Sequence, residues 1–276
     1  MRGLVLTADD FGWEPGTNAA IVSLLQDGAI TATTVLAVCP FAEAALGALE
    51  DVPEAALGVH FAITSDVRRR LYPLADGVHS LVEEDGAFST DPARAEQSAT
   101  AAHVVQELEA QIEWVAARGW TPRRLDSHSG TLYGLHGAPF VAEALESCVR
   151  HGLDFRLPQG LDLYVGEHVP PALASMHAEA VAAAGLLGVA LPAQIGSNQQ
   201  PRVGSYEELR RSYLDLLDRL PEDAVSEIFL HPAPETPALR ALDPNGQKRV
   251  WELELLRDPV WRREITRHGI ELVPHW

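Results

Sequence analysis

The chain has 276 residues, 46% of them hydrophobic, which is enough to bury a substantial core and makes one domain over residues 1–276 the expectation. A formal net charge of −18 and a pI near 4.9 argue against nucleic acid and anionic membrane surfaces as partners, since both would repel an acidic protein; a neutral or cationic small molecule fits better. Lys248 is the only lysine, so positive charge rests almost wholly on arginine.

In chain order, an apolar run over residues 3–8 predicts a first strand, cut short by Asp9 and Asp10 and far shorter than a signal-peptide core. A helix over 18–26 ends at Gly28, and a strand over 33–38 and a helix over 41–49 follow. The strand predicted over 56–61 carries His60. Residues 65–102 are polar and lack apolar periodicity, as expected of a long loop that lines or covers a site. Val104, Leu108, Ile112, Val115 and Ala116 then line one face of a helix that Gly119 stops.

A strand over 123–126 leads to His128, a helix over 140–151 ends at Gly152, and a strand over 152–157 carries Arg156. A helix over 171–184, a strand over 186–191, a helix over 206–220 and a strand over 225–231 ending in His231 continue the alternation. Residues 232–247 are proline-rich and read as a second functional loop; a helix over 249–268 and a strand over 269–273 close the chain. No segment reaches the length of a membrane span. Cys39 and Cys148 stand in apolar stretches without CxxC spacing, so buried free thiols and a cytoplasmic location are expected.

Strand and helix alternate about seven times. That predicts an α/β fold with mainly parallel strands inside outer helices, a (β/α) barrel of TIM type or an irregular one. A dinucleotide-binding sheet would need a glycine-rich turn after the first strand, but Asp9-Asp10-Phe11-Gly12 would repel a pyrophosphate there.

In such folds catalytic groups gather where strands end, and Asp9, Asp10, His60, Asp126, His128, Arg156 and His231 all end strands. Taken singly, the aspartates fit a solvated turn, His60 a core position, His231 a turn and Arg156 a structural ion pair; their joint placement favours chemistry. One carboxylate and two imidazoles, Asp10, His60 and His128, make a ligand set for one divalent cation, zinc or magnesium. If the backbone stays extended, Asp9 points away from Asp10 and is free to act as a base on water held by the cation. Asp126 is placed to orient a ligating histidine. His231 can protonate a leaving amine, as amide hydrolysis requires, and Arg156 either pairs with Asp9 or binds a substrate oxygen. Trp13 fits a sugar-stacking role and core packing equally. The other eight histidines lack such company.

At these residues the sequence resembles the YdjC family of carbohydrate deacetylases, also called ChbG or chitooligosaccharide deacetylase-like. The matching segments are Thr7-Ala8-Asp9-Asp10-Phe11-Gly12, Gly58-Val59-His60 with Thr64, Leu125-Asp126-Ser127-His128, and Leu230-His231-Pro232, and they span nearly the whole chain. The resemblance implies a barrel-like fold, a divalent metal on Asp10, His60 and His128, Asp9 as general base and His231 as acid. The family often carries a histidine where this chain has Gly130 and an asparagine where it has Ala62; both departures bear on substrate more than on the metal.

The expected reaction is metal-dependent hydrolysis of the acetamide of an N-acetylated sugar or oligosaccharide, with release of acetate. The rivals are hydrolysis of another amide or a phosphoester, or sugar binding without turnover. A two-metal phosphoesterase would need more carboxylates at the strand ends. If the chain forms oligomers, a homodimer is the commonest outcome.

Overall fold

Ten residues, Arg2–Phe11, form strand β1, and the computed structural model describes the chain over residues 2–52, 54–166, 168–200 and 202–276. The other described strands are β2 (Ala32–Val35), β3 (Ala56–Phe61), β4 (Arg124–Ser127), β5 (Asp154–Phe155), β6 (Ile195–Gly196), β7 (Ala224–Leu230) and β8 (Ile270–Leu272). Every strand pair is parallel, in the order β5-β4-β3-β2-β1-β7-β6. One edge of β1 runs along β7; the other is shared, with β8 against Arg2–Leu4 and β2 against the later residues. The Phe155 N–H donates to the Ala190 carbonyl and the Ala193 N–H to that of Val225, so backbone between β5 and β7 joins the sheet's two edges. The result is the expected α/β barrel-like wall of parallel strands, irregular where β5 and β6 shrink to two residues each.

The outer layer holds α1 (Pro15–Gln26), α2 (Ala42–Leu49), α3 (Pro92–Ser98), α4 (Ala101–Ala116), α5 (Val141–His151), α6 (Pro171–Leu187), α7 (Tyr206–Arg219), α8 (Pro237–Leu242), α9 (Gln247–Arg257) and α10 (Pro259–Arg267). Three expectations change. The predicted strand over 186–191 is instead the end of α6, capped by Gly188 in the left-handed region, and strand pairing resumes only at Ile195. The helix predicted over 249–268 is two helices, because Pro259 has no N–H to continue α9 and Asp258 caps α10 through the Val260 N–H. The two long loops are partly helical, enclosing α3 and α8.

Alternation along the strands gives each one two different faces. Leu4, Leu6, Val59, Leu125, Ile228 and Leu230 belong to the main apolar core under the helices. On the other face Val5, Ala32 and Ala56, with Val225, Val273 and Trp276, make a small apolar plug near the strands' N-terminal ends. Above it the interior is polar: Thr7, Asp9, Arg124, Asp126, Arg156 and Glu227 are all buried. Gly58 makes room for this layer, since a Cβ there would lie 2.5 Å from Arg124 Cγ and 2.9 Å from Thr34 Cγ2.

Gly58→Ala is therefore expected to cost about 1–3 kcal/mol through overpacking. Urea unfolding would measure it, and an unchanged midpoint would show that the interior has slack around Arg124.

Candidate active site

The turn after β1 sets the geometry. The β1–β2 register shifts between Ala8 and Phe11, and Asp10 has φ 65, a left-handed conformation that aspartate tolerates better than most residues. The Trp13 N–H donates to the Asp10 carbonyl at 3.0 Å, and Gly12, at φ 99, lies where a Cβ would meet Ala42 Cα at 2.8 Å. The two carboxylates thus diverge through a left-handed residue, not through extended alternation. Asp9 faces the interior network and Asp10 the strand ends.

His60 and Asp126 are register partners on β3 and β4, and His60 Nδ1 donates to Asp126 Oδ1 at 2.6 Å. That bond turns Nε2 toward Asp10 Oδ1, 3.5 Å away, and within hydrogen-bond distance of His128 Nδ1 at 3.3 Å. His128 Nδ1 is itself 3.5 Å from Asp10 Oδ1. The three ligand atoms lie within 4.8 Å of one another, so Asp10, His60 and His128 come together as the sequence predicted. Asp10 Oδ1 is buried and has no hydrogen-bond partner, as suits an atom that faces a cation. Asp9, His60 and Asp126 form a second compact group, but the Arg156 guanidinium pairs with both of its carboxylates and supplies the positive charge there.

Arg156 joins the interior together. It donates to Asp9 through Nη1 at 2.7 Å and Nη2 at 2.9 Å, and to Glu227 through Nε at 3.0 Å and Nη2 at 2.8 Å. The Thr34 hydroxyl donates to Asp9 at 2.7 Å, and the Thr7 hydroxyl donates to Glu227. Burial alone would raise the Asp9 pKa, but Arg156, then His60, hold it at about 2. Asp10 is likewise held well below the carboxylate range: burial opposes this, and Arg249, whose Nη1 donates at 2.7 Å, and His128 outweigh it. Burial also works against charge on His128, yet Asp10 and Asp66 lift its pKa to about 10; His60 is raised against the same opposition by Asp126 and Asp9. Without a cation, protons hold the place of positive charge, and a metal would displace them.

His231 follows β7 and lines the same cavity of about 380 Å³ as Asp9, Asp10, His60, His128, Arg156 and Arg249. Its backbone N–H donates to Glu252 at 2.8 Å, and burial lowers its imidazole pKa, opposed by Asp10 and helped by Arg249. Trp13 is only 2% exposed, with its indole N–H on Asp66 at 2.6 Å and the Arg249 guanidinium 4.6 Å above its ring, so core packing holds and the sugar-stacking role does not.

Four contributors escaped the sequence reading: Asp66, Glu227, Arg249 and Glu252. Glu227 left a signal, a charged residue inside an apolar strand. Asp66 sits in the loop singled out over 65–102. Arg249 and Glu252 lie on α9, whose polar composition hides an inward turn.

A family model described as YdjC-like protein matches residues 3–267. A carbohydrate deacetylase of Geobacillus stearothermophilus is 30% identical over 276 residues, covering 99% of this chain and 97% of its own length. A carbohydrate deacetylase of Thermoanaerobacter pseudethanolicus is 28% identical over 158 residues, 57% of this chain and 59% of its own. Among solved structures, an Enterococcus faecalis protein described as a "putative cellobiose-phosphate cleavage protein" is similar with a TM-score of 0.81 at 24% identity, covering 99% of this chain and 97% of its own, which bears on the fold alone.

The ion network predicts a pH signature. Because the folded Asp9 pKa is depressed to about 2, its stabilisation is present above the unfolded value of ~3.9 and is lost as pH falls through 2. Arg156→Met inverts the sign: burial then raises Asp9 and adds to the already raised Glu227, so stability drains as pH rises. The variant should be about 3–5 kcal/mol less stable at pH 7, with a smaller deficit at pH 5. Denaturant melts at both values would check this, and a deficit that grows at pH 5 would rule the account out.

Proposed function

The chain belongs to the YdjC-like protein family, and from that premise we propose that it is a carbohydrate deacetylase, a hydrolase that releases acetate from an N-acetylated sugar or oligosaccharide. The observation that carries the reading is the buried Asp10 Oδ1, without a hydrogen-bond partner and facing His60 Nε2 and His128 Nδ1, each at 3.5 Å. This donor set fits one divalent cation, magnesium or zinc. When bound, the cation would polarise the acetamide carbonyl and make the attacking water acidic. We read residues 1–276 as one catalytic domain, acting in the cytoplasm as a monomer or homodimer; no helix among the described residues is long and apolar enough to cross a membrane, and both described cysteines are free and buried.

Asp9 is the base in this reading. Arg156 and Thr34 hold it ionised and fixed, so it is ready to accept a proton but is intrinsically weak, and it acts only on water that is already acidic. Ala8 pairs with Leu230, so Asp9 and His231 follow on adjacent strand ends. His231 gives the departing sugar nitrogen its proton. Its lowered pKa keeps it neutral at rest and makes its imidazolium a strong donor, so the proton that Asp9 accepts is the one His231 delivers later. Asp126 fixes the His60 ring so that Nε2 faces the ligand point, and Asp66 and Arg249 hold His128 and Asp10 from the loop side.

Acetate release from a panel of N-acetylated sugars, run with magnesium and with zinc, tests the proposal. Activity is expected with at least one cation and none after chelation; a panel with no release, or release that chelation leaves intact, would count against it. Asp9→Asn should retain the cation while turnover falls by about 10²–10⁴-fold, and normal turnover would remove Asp9 from the role of base. His60→Ala and His128→Ala should lose cation stoichiometry, read by elemental analysis independently of activity.

A further inference from the structure

A second cavity of about 370 Å³ adjoins the first. Tyr133, Leu135, Arg156, Tyr164 and Ile195 line both, so the two meet at a common wall beside the proposed centre. The character changes across that wall. Beyond it the lining is mainly aliphatic, from α5, α6 and the segment between them, including Leu145, Leu157, Leu161, Leu173, Ala180 and Ala183, with the exposed Glu179 as its one carboxylate. His177 also borders it, but its Nε2 is engaged with the Pro158 carbonyl at 2.6 Å.

Three features show a space built to be filled. Helix α6 runs for 17 residues, yet Ala184 is its only fully buried one: Ala180, Val181 and Ala183 pack against the main core only in part, and Leu173, Met176, Ala180 and Ala183 line the cavity. Leu135, Val165 and Met176, which line the cavity, are 49%, 40% and 46% exposed, and they make an apolar rim at its mouth. The buried Tyr133 hydroxyl at the common wall has no hydrogen-bond partner, which leaves a polar handle between an apolar chamber and a polar one.

We propose that this cavity holds an apolar aglycone, so that the substrate is an amphiphilic N-acetylated sugar, an alkyl-type glycoside, with its sugar in the polar cavity. The proposal rests on the deacetylase reading above: an acetyl group brings a single methyl, so apolar volume of this size falls to the other end of the substrate. Each methylene that enters should raise the apparent affinity about fourfold.

The test compares methyl and octyl β-glycosides of N-acetylglucosamine, the octyl compound kept below its micelle concentration, by acetate release and by calorimetric binding to the metal-loaded enzyme. The octyl glycoside should show a kcat/KM at least about tenfold higher, carried by KM. Ala180→Phe and, separately, Ala183→Leu fill the chamber away from the reacting groups; either should erase the octyl advantage while the methyl glycoside rate stays unchanged. Equal values for the two glycosides would overturn the inference, as would a preference for an N-octanoyl over an N-acetyl methyl glycoside, which would put the acyl group in the chamber. So would a dimer whose partner seals the chamber and abolishes the octyl preference. If neither glycoside releases acetate, the deacetylase reading has failed, and octyl binding that Ala180→Phe removes would still establish the apolar site.

Discussion

The Arg156 guanidinium is the constraint on which the rest of the site depends. Small barrels usually fill their interior with branched apolar side chains, but here the layer above the Val5–Ala32–Ala56 plug is charged. Three buried carboxylates, Asp9, Asp126 and Glu227, meet one cation, which donates hydrogen bonds to Asp9 and Glu227 and forms an ion pair with Asp126. Removing that cation would leave several uncompensated charges in a medium of low polarity, a larger penalty than the loss of any single bond. The arrangement is also directional. Because Arg156 takes up one oxygen of Asp126, the other is left to orient His60; because it grips Asp9, the adjacent Asp10 is left to face the ligand point.

Two different supports meet at that point. His60 and Asp126 sit on neighbouring strands in register, so their geometry is as rigid as the sheet. Asp66 and Arg249 come instead from the loop after β3 and from α9, and they press on His128 and Asp10 from outside. Arg249 also covers Trp13, whose indole N–H holds Asp66, so the outer support is itself one connected cluster. The network joining the two holds four carboxylates, Asp9, Asp10, Asp126 and Glu227, against three guanidiniums, Arg124, Arg156 and Arg249. That excess of negative charge favours a cation at the ligand point.

Much of this was legible in the sequence. Strand ends carrying Asp9, Asp10, His60, His128, Arg156 and His231 converge because parallel strands share one polarity, a rule that needs no knowledge of contacts. What escaped was of two kinds. Local rules were outvoted where backbone chemistry intervened: Gly188 ends α6 inside a predicted strand, and Pro259 divides a predicted helix, although both residues were visible. The supporting residues were hidden for a deeper reason. Arg249 and Glu252 lie on a helix whose composition resembles a solvated face, and only the packing of α9 over the end of β7 turns them inward. Trp13 shows the converse, an aromatic beside the aspartates that serves as packing and as a hydrogen-bond donor.

The departures from the family pattern fall where the two cavities meet. Gly130 lines the polar cavity at φ 68, and a Cβ there would lie 2.5 Å from Leu135 Cδ1. A side chain at 130 would meet the end of the half-exposed Leu135 side chain, which forms part of the wall of both cavities and would have to move aside. The other departure, Ala62, lies at the end of β3. Its N–H and carbonyl are both taken by the Gln111 side chain of α4, at 3.1 and 2.7 Å, so the segment is tied to its helix and offers no side chain to a substrate. Neither Gly130 nor Ala62 takes part in the contacts that bring Asp10, His60 and His128 together, so the wall of the cavity can vary without disturbing them.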